Sequence, residues 1–289
     1  MTVADDGIST NDRLRPVREA FRTVLVHVQP DPTAQPRLTS AAALARTLDA
    51  TLFGVGAEII DPIYVVNDDS LRDMQSEVKA NLEAAERAFR RSAQDLRMEW
   101  MALVEKPVPA IARLSRSADL VVAGGSPTSE QSGYQWCDPA GLVVSSGRPV
   151  LVVPPSGGRL AAEAVVVAWK DAREARRALA DAMPFLRAAR EVMVVEVCEN
   201  NENSDFGNAQ GHTYEVVVGL KRHGIAARAH AVVAEPGAVA RELNTAAAAL
   251  GADLIVAGGY GHSRLGEWAL GGVTRDLLHQ PERFLLLSH

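Results

Sequence analysis

Apolar residues along this chain gather in short, nearly unbroken runs. The clearest are Val24-Leu25-Val26, Leu120-Val121-Val122-Ala123, Val150-Leu151-Val152-Val153, Ala164-Val165-Val166-Val167-Ala168, Leu254-Ile255-Val256-Ala257 and Phe284-Leu285-Leu286-Leu287. Runs of this length, rich in β-branched residues and without polar alternation, mark strands buried on both faces. Elsewhere the period changes to that of a helix: Leu71, Met74, Val78, Leu82, Ala85 and Phe89 share one face of a long amphipathic segment over 70–96. The first half therefore reads as strands at 23–28, 51–57, 100–104, 120–123 and 150–153. Helices are expected at 40–52 (with Ser40 as cap), 70–96 and 109–116. The second half reads as strands near Val165, Val192, Ala227, Leu254 and Phe284, with helices over 172–188, 212–223, 237–250 and 272–278. Apolar strands alternating with helices imply βαβ units and a parallel sheet covered on both sides.

The two halves repeat. Ala118-Asp119-Leu120-Val121-Val122-Ala123-Gly124-Gly125 returns at Ala252–Gly259 with Ile255 in place of the first Val. The same offset sets Pro149–Val153 opposite Arg283–Leu287. Between the copies lies Pro154-Pro155-Ser156-Gly157-Gly158, which has linker composition. The expected division is a flexible tail at 1–20, a first domain at 21–154, a linker at 155–159 and a second domain at 160–289. The tail has no apolar core of the kind a signal peptide carries.

Composition narrows the function. The net charge of −6 speaks against broad binding to nucleic acid or to anionic membranes. No apolar run approaches the ~18 residues of a membrane span. The two cysteines, Cys137 and Cys198, form no CxxC or Cys/His cluster, so a metal site or disulfide framework is not expected, and a cytoplasmic location fits.

Chemistry concentrates after the Leu254 strand. Gly258-x-x-Gly261 is followed, after nine residues, by Gly271-Gly272 at the start of a predicted helix. Glycines at a strand's carboxyl end and at a helix N-terminus let backbone N–H groups approach an anion, so the segment reads as a phosphate cradle closed at both ends. A P-loop and a GxGxxG fingerprint are both absent, and Ser126 lacks the spacing of a nucleophile elbow. Arg264 and Arg275 flank the cradle and are candidates for phosphate contacts. Arg173, Arg176 and Arg177 read as a solvated helix face. Asp119 and Asp253 read as caps or turn residues, and His27 as a hydrogen-bonded core histidine. Trp169 is open to two readings, a stacking surface for a base or a packing residue.

The glycine spacing resembles the nucleotide motif of the universal stress protein family, G-2x-G-9x-G-(S/T). Gly147-Arg148-Pro149-Val150-Leu151-Val152-Val153-Pro154 is similar to that family's closing strand, and Gly237 to the turn before its third helix. The resemblance covers nearly the whole chain as two copies. It implies an α/β fold of two tandem flavodoxin-like (HUP/Rossmann-like) five-stranded parallel-sheet sandwiches, docked through their last strands. It further implies an adenine nucleotide, ATP with Mg, held in the second half by Ala168, Trp169, Lys170, Val197, Gly258, Gly261, His262, Gly271, Gly272, Val273 and Thr274, and a homodimer as a further level of assembly.

Two departures from the motif are visible. Gly272 stands at the family's Ser/Thr position, with Thr274 two residues on, and Lys170 stands at the adenine-side Asp, with Asp171 next. In the first half the cradle positions become Pro127, Cys137 and Asp138. No nucleophile, base and metal set is present, and only His262 and Glu267 lie within reach of a γ-phosphate. The expected function is a cytoplasmic stress-response protein that binds ATP as a switch or reservoir with little or no turnover. The alternatives are a nucleotide-free docking module and a slow ATPase.

Overall fold

The computed structural model describes residues 10–31, 34–60, 65–125, 136–199, 203–259, 261–264, 267–279 and 281–289; at 10–11, 203–204, 261–264 and 267–270 it describes the backbone alone. Two short helices open the chain, α1 (Thr10–Arg13) and α2 (Arg15–Ala20). They are followed by β1 (Thr23–His27), α3 (Gln35–Leu48), β2 (Thr51–Ala57), α4 (Asp68–Ser92), β3 (Met98–Leu103), α5 (Pro107–Leu114), β4 (Leu120–Gly124), α6 (Pro139–Ser145) and β5 (Val150–Val153). The second half runs β6 (Ala164–Ala168), α7 (Arg173–Ala188), β7 (Glu191–Cys198), α8 (Asn203–Arg222), β8 (Ala227–Val233), α9 (Val239–Leu250) and β9 (Leu254–Gly258). A hairpin, β10 (Gly261–Arg264) and β11 (Glu267–Leu270), then precedes α10 (Gly272–Leu278) and β12 (Phe284–Ser288).

Ten of these strands form one sheet in the order β3-β2-β1-β4-β5-β12-β9-β6-β7-β8. Within each half neighbouring strands are parallel; at the seam β5 and β12 run antiparallel, with Leu151 opposite Leu286. Each half thus has its first strand beside its fourth, where the winding direction reverses. Such a reversal opens a crevice beyond the carboxyl ends of those two strands. Alternate strand residues feed two cores. Val24, Val26, Val165 and Val167 pack under α3 and α7, while Leu25, Val121, Val166 and Ile255 pack under the helices of the opposite face.

Several boundaries differ from the sequence expectation for identifiable reasons. α3 begins five residues earlier, with Pro36 in its first turn, so Ser40 lies buried within the helix and is not its cap. Asn67 caps α4 through a reciprocal pair with Ser70, which moves that helix start to Asp68. α8 begins nine residues before His212, and α6 is a helix the apolar pattern did not announce. Thr10–Arg13 and Arg15–Ala20, expected within the tail, are helical as α1 and α2. Val17 is fully buried and the Phe21 ring stacks on Phe185 at 5.3 Å, which fastens the start of the chain to α7; residues 1–9 lie outside the described ones.

Candidate functional site

The repeated aspartates act alike in both halves. Asp119 accepts the backbone N–H groups of Arg22 and Thr23, both at 2.9 Å. Asp253 accepts those of Ala161 and Ala162, the shortest at 2.7 Å. Each carboxylate ties the start of the fourth strand to the segment entering the first strand, and so sets the two strands that flank the crevice. The expectation of turn or cap residues becomes a strand-to-strand clamp.

The repeated glycine pairs have a packing role that spacing did not show. A Cβ on Gly258 would come within 2.7 Å of backbone atoms of Glu174 and Ala175, because the first turn of α7 crosses the end of β9. A Cβ on Gly259 would collide with the Val143 side chain of α6, and the Gly259 N–H donates to the carbonyl of Ser288 at 2.7 Å. In the first half, Gly124 faces Arg37 in the corresponding way, and Gly125 faces Pro281 and the Leu278 carbonyl. The first glycine of each pair therefore admits a neighbour from its own half, and the second admits the other half.

The more open part of the cradle is the beginning of α10. Gly271 occupies its N-cap position without a side-chain hydrogen bond, and among the described residues nothing lies within 4 Å of where a Gly272 Cβ would stand. Gly261 pairs opposite Leu270 across the β10–β11 ribbon, so the glycine ends of the nine-residue loop lie side by side. Thr274 is buried, with its hydroxyl directed to the Gly258 carbonyl at 3.4 Å, so it ties α10 to β9. Val273 is half-buried beside the core.

The first half provides a contrast within the same molecule. At the start of α6, Asp138 accepts the N–H groups of Ala140 and Gly141, both at 3.1 Å, so a side-chain carboxylate takes the donors that a phosphate would use. Pro127 lies outside the described residues.

At the β6 side of the second-half crevice, Trp169 is 8 % exposed and belongs to the core, with its indole N–H buried and, among the described residues, without an acceptor. The packing reading holds for its ring. Lys170 is exposed, and its charge reaches Glu196 on the next strand. Burial raises the Glu196 carboxyl above the usual range, opposed by His212, whose ring nitrogen lies 3.2 Å away. Ala168 and Val197 are half-buried at their strand ends. Asp171 pairs with Arg176, and Arg177 with Asp181, which keeps both arginines on the helix surface. Arg275 is exposed on α10, and the side chains of His262, Arg264 and Glu267 lie outside the described atoms. Sequence reasoning missed Glu196 and His212; the only sequence sign was a carboxylate closing an apolar strand. Among the described residues no cluster of three metal-ligating side chains occurs, and no helix is long and apolar enough to cross a membrane.

A sheet wound outward from two switch points, with a glycine-lined turn beyond one of them, defines a doubly wound α/β protein. Residues 162–283 match the model of the Universal stress protein family. Those residues form a domain of that family, and the same fold is repeated ahead of the matched segment. Solved structures agree on the fold. A universal stress protein from Archaeoglobus fulgidus DSM 4304 superposes with a TM-score of 0.63 at 15 % identity, covering 92 % of this chain and 95 % of that one. A functionally unknown protein from Pseudomonas aeruginosa PAO1 gives 0.59 at 16 % identity, covering 94 % of each chain. No curated protein sequence matches the chain significantly.

Proposed function

We propose that this protein is a cytoplasmic stress-response protein built of two domains, at 21–154 and 160–289, and that the second binds an adenine nucleotide, ATP with Mg, as a switch or reservoir with little or no turnover. The observation that carries this reading is the start of α10, which among the described residues has no side-chain cap and leaves Gly272 clear of neighbours, beside the Gly261–Gly271 loop whose ends lie together. The corresponding helix of the first half already has its donors taken by Asp138. Phosphates would sit against the amides of Gly271, Gly272 and Val273, with Lys170 supplying positive charge from the end of β6. Magnesium would be held chiefly by the phosphates.

The test is thermal unfolding of nucleotide-stripped protein with and without millimolar ATP and magnesium. A ligand at about 100 times its dissociation constant adds roughly 2.7 kcal/mol, a shift of several degrees. The rise should vanish in Gly261→Asp, and phosphate release should stay at background. One observation favours a second reading, a nucleotide-free docking module: the Trp169 ring is committed to the core and gives no platform for a base. That reading requires that neither ATP nor Gly261→Asp alter the melting curve.

A further inference from the structure

The seam uses β5 and β12 within one chain, so the ten-stranded sheet ends at β3 and β8. The two ends are built differently. β8 carries Arg228 and His230 exposed along it, the kind of guard that keeps a sheet edge from pairing. β3 has Glu99 as its one charge; its Met101 is 38 % exposed, and Val104 just beyond it 59 %. Among the described residues β3 pairs with β2 alone. Between β3 and α4 runs a groove of about 440 Å³ walled by Val78, Leu82, Ala102 and Val104, with Lys79, Glu83 and Glu86 at its rim. An apolar strand edge beside an apolar groove is a template for another strand.

Backbone direction and charge limit what can add there. The carbonyls of Arg97 and Leu103 accept from Leu52 and Glu58, so residues 97, 99, 101 and 103 turn their polar groups toward β2. The N–H and C=O groups of Met98, Trp100 and Ala102 therefore point outward. A second β3 laid antiparallel about a twofold axis bonds only where outward-pointing residues meet, so the axis must pass through a residue and not between two. Centred on Met101, Trp100 faces the partner's Ala102, and Arg97 lies beside the partner's Glu105 at both ends. Centred on Glu99, like charges would meet. The helices agree with this pairing. α4 lies over β2 and β3: a Cβ on Gly56 would stand 3.0 Å from the Trp100 ring and 3.1 Å from Leu82, and Phe89 stacks on Trp100 at 5.4 Å. A twofold axis normal to the sheet then sets the two α4 helices side by side, two strand spacings or about 10 Å apart, which is a packing distance for helices.

We propose that β3 is the edge through which a second copy of this chain adds, antiparallel and centred on Met101, so that two sheets run on as one and the paired α4 helices cover the groove. The contact is isologous and closes at two chains, with the guarded β8 edges outermost. It is a different surface from the docking of last strands, which the chain satisfies within itself at β5 and β12. It uses no residue of the second-half cradle and does not depend on the nucleotide reading.

The test begins with sedimentation velocity of the full chain at tens of micromolar, which should show a dimer. Met101→Lys sets two like charges against each other at the axis and should give a monomer with an unchanged circular dichroism spectrum. Cross-linking reads the pairing itself. With Cys198→Ser in place and Cys137 buried, Met101→Cys should form a disulfide-linked dimer on mild oxidation, because the two Cα atoms stand about 4.5 Å apart. Glu99→Cys, roughly 14 Å from its copy by strand rise, should not link. The dimer should persist in Gly261→Asp, so that failure of the nucleotide reading leaves this test intact. A monomer at tens of micromolar overturns the proposal, and that result is read on the unaltered chain. A dimer that survives Met101→Lys overturns it as well, as does linking through Glu99→Cys as readily as through Met101→Cys.

Discussion

Asp119 and Asp253 each accept two backbone amides while preceding a strand whose other residues are apolar. Charge-assisted bonds of this kind are worth more than neutral ones, and their loss leaves amides without partners. Asp253→Ala should therefore lower stability by about 1–3 kcal/mol, read as a drop in the denaturation midpoint with an unchanged slope. His27 gives a second prediction at this scale. Burial, with Arg37 adding to it, holds the His27 pKa well below 6.5, whereas the unfolded chain takes up a proton near that value. The folded state then binds fewer protons, so stability is complete above about pH 6.5 and falls as the pH drops toward the folded pKa, with a slope approaching 1.4 kcal/mol per pH unit. In His27→Gln this contribution to the slope should disappear, which urea titrations between pH 7.5 and 5 would register.

At the scale of elements, caps decide where helices begin. Asp138 supplies two acceptors to α6, and Asp138→Ala should cost about 1 kcal/mol, measured by thermal or chemical unfolding. The strands were legible because residues buried on both faces leave little choice of composition: β2 and β9 lie where the apolar runs put them. Helix starts were less legible. Pro36 at the head of α3 and Asn67 at the head of α4 act through backbone geometry that hydrophobic periodicity does not carry. At the candidate site, the Gly271–Gly272 helix start and the ring closure at Gly261 were readable from spacing. The duties of Gly258 and Gly259 were not, because the atoms they admit, the first turn of α7 and Val143, are far away in sequence. The cation in the first crevice was equally hidden, since nothing local in the sequence indicates that Arg37 reaches over Gly124.

At the scale of the molecule, the halves are joined by the β5–β12 pairing and by contacts made on both sides of it. Gly259 against Val143 and Gly125 against Pro281 leave no room for a methyl group at either glycine. Gly259→Ala should destabilise the protein by about 1–3 kcal/mol through overpacking. Val143→Ala in the same chain should recover part of that loss, so the double-mutant cycle should show coupling across the seam. Phe21 against Phe185 adds a fastening outside the sheet.

The antiparallel seam has one more consequence. Two identical chains paired about a twofold axis must carry every change twice, once in each copy of the same surface. Here both partners belong to one polypeptide, and that obligation is gone. Asp138 can fill one helix start while Gly272 leaves the other open, and Arg37 can occupy one crevice while α7 backbone borders the other. With both halves in one polypeptide, the two crevices are inequivalent, and each is free to change without altering its twin.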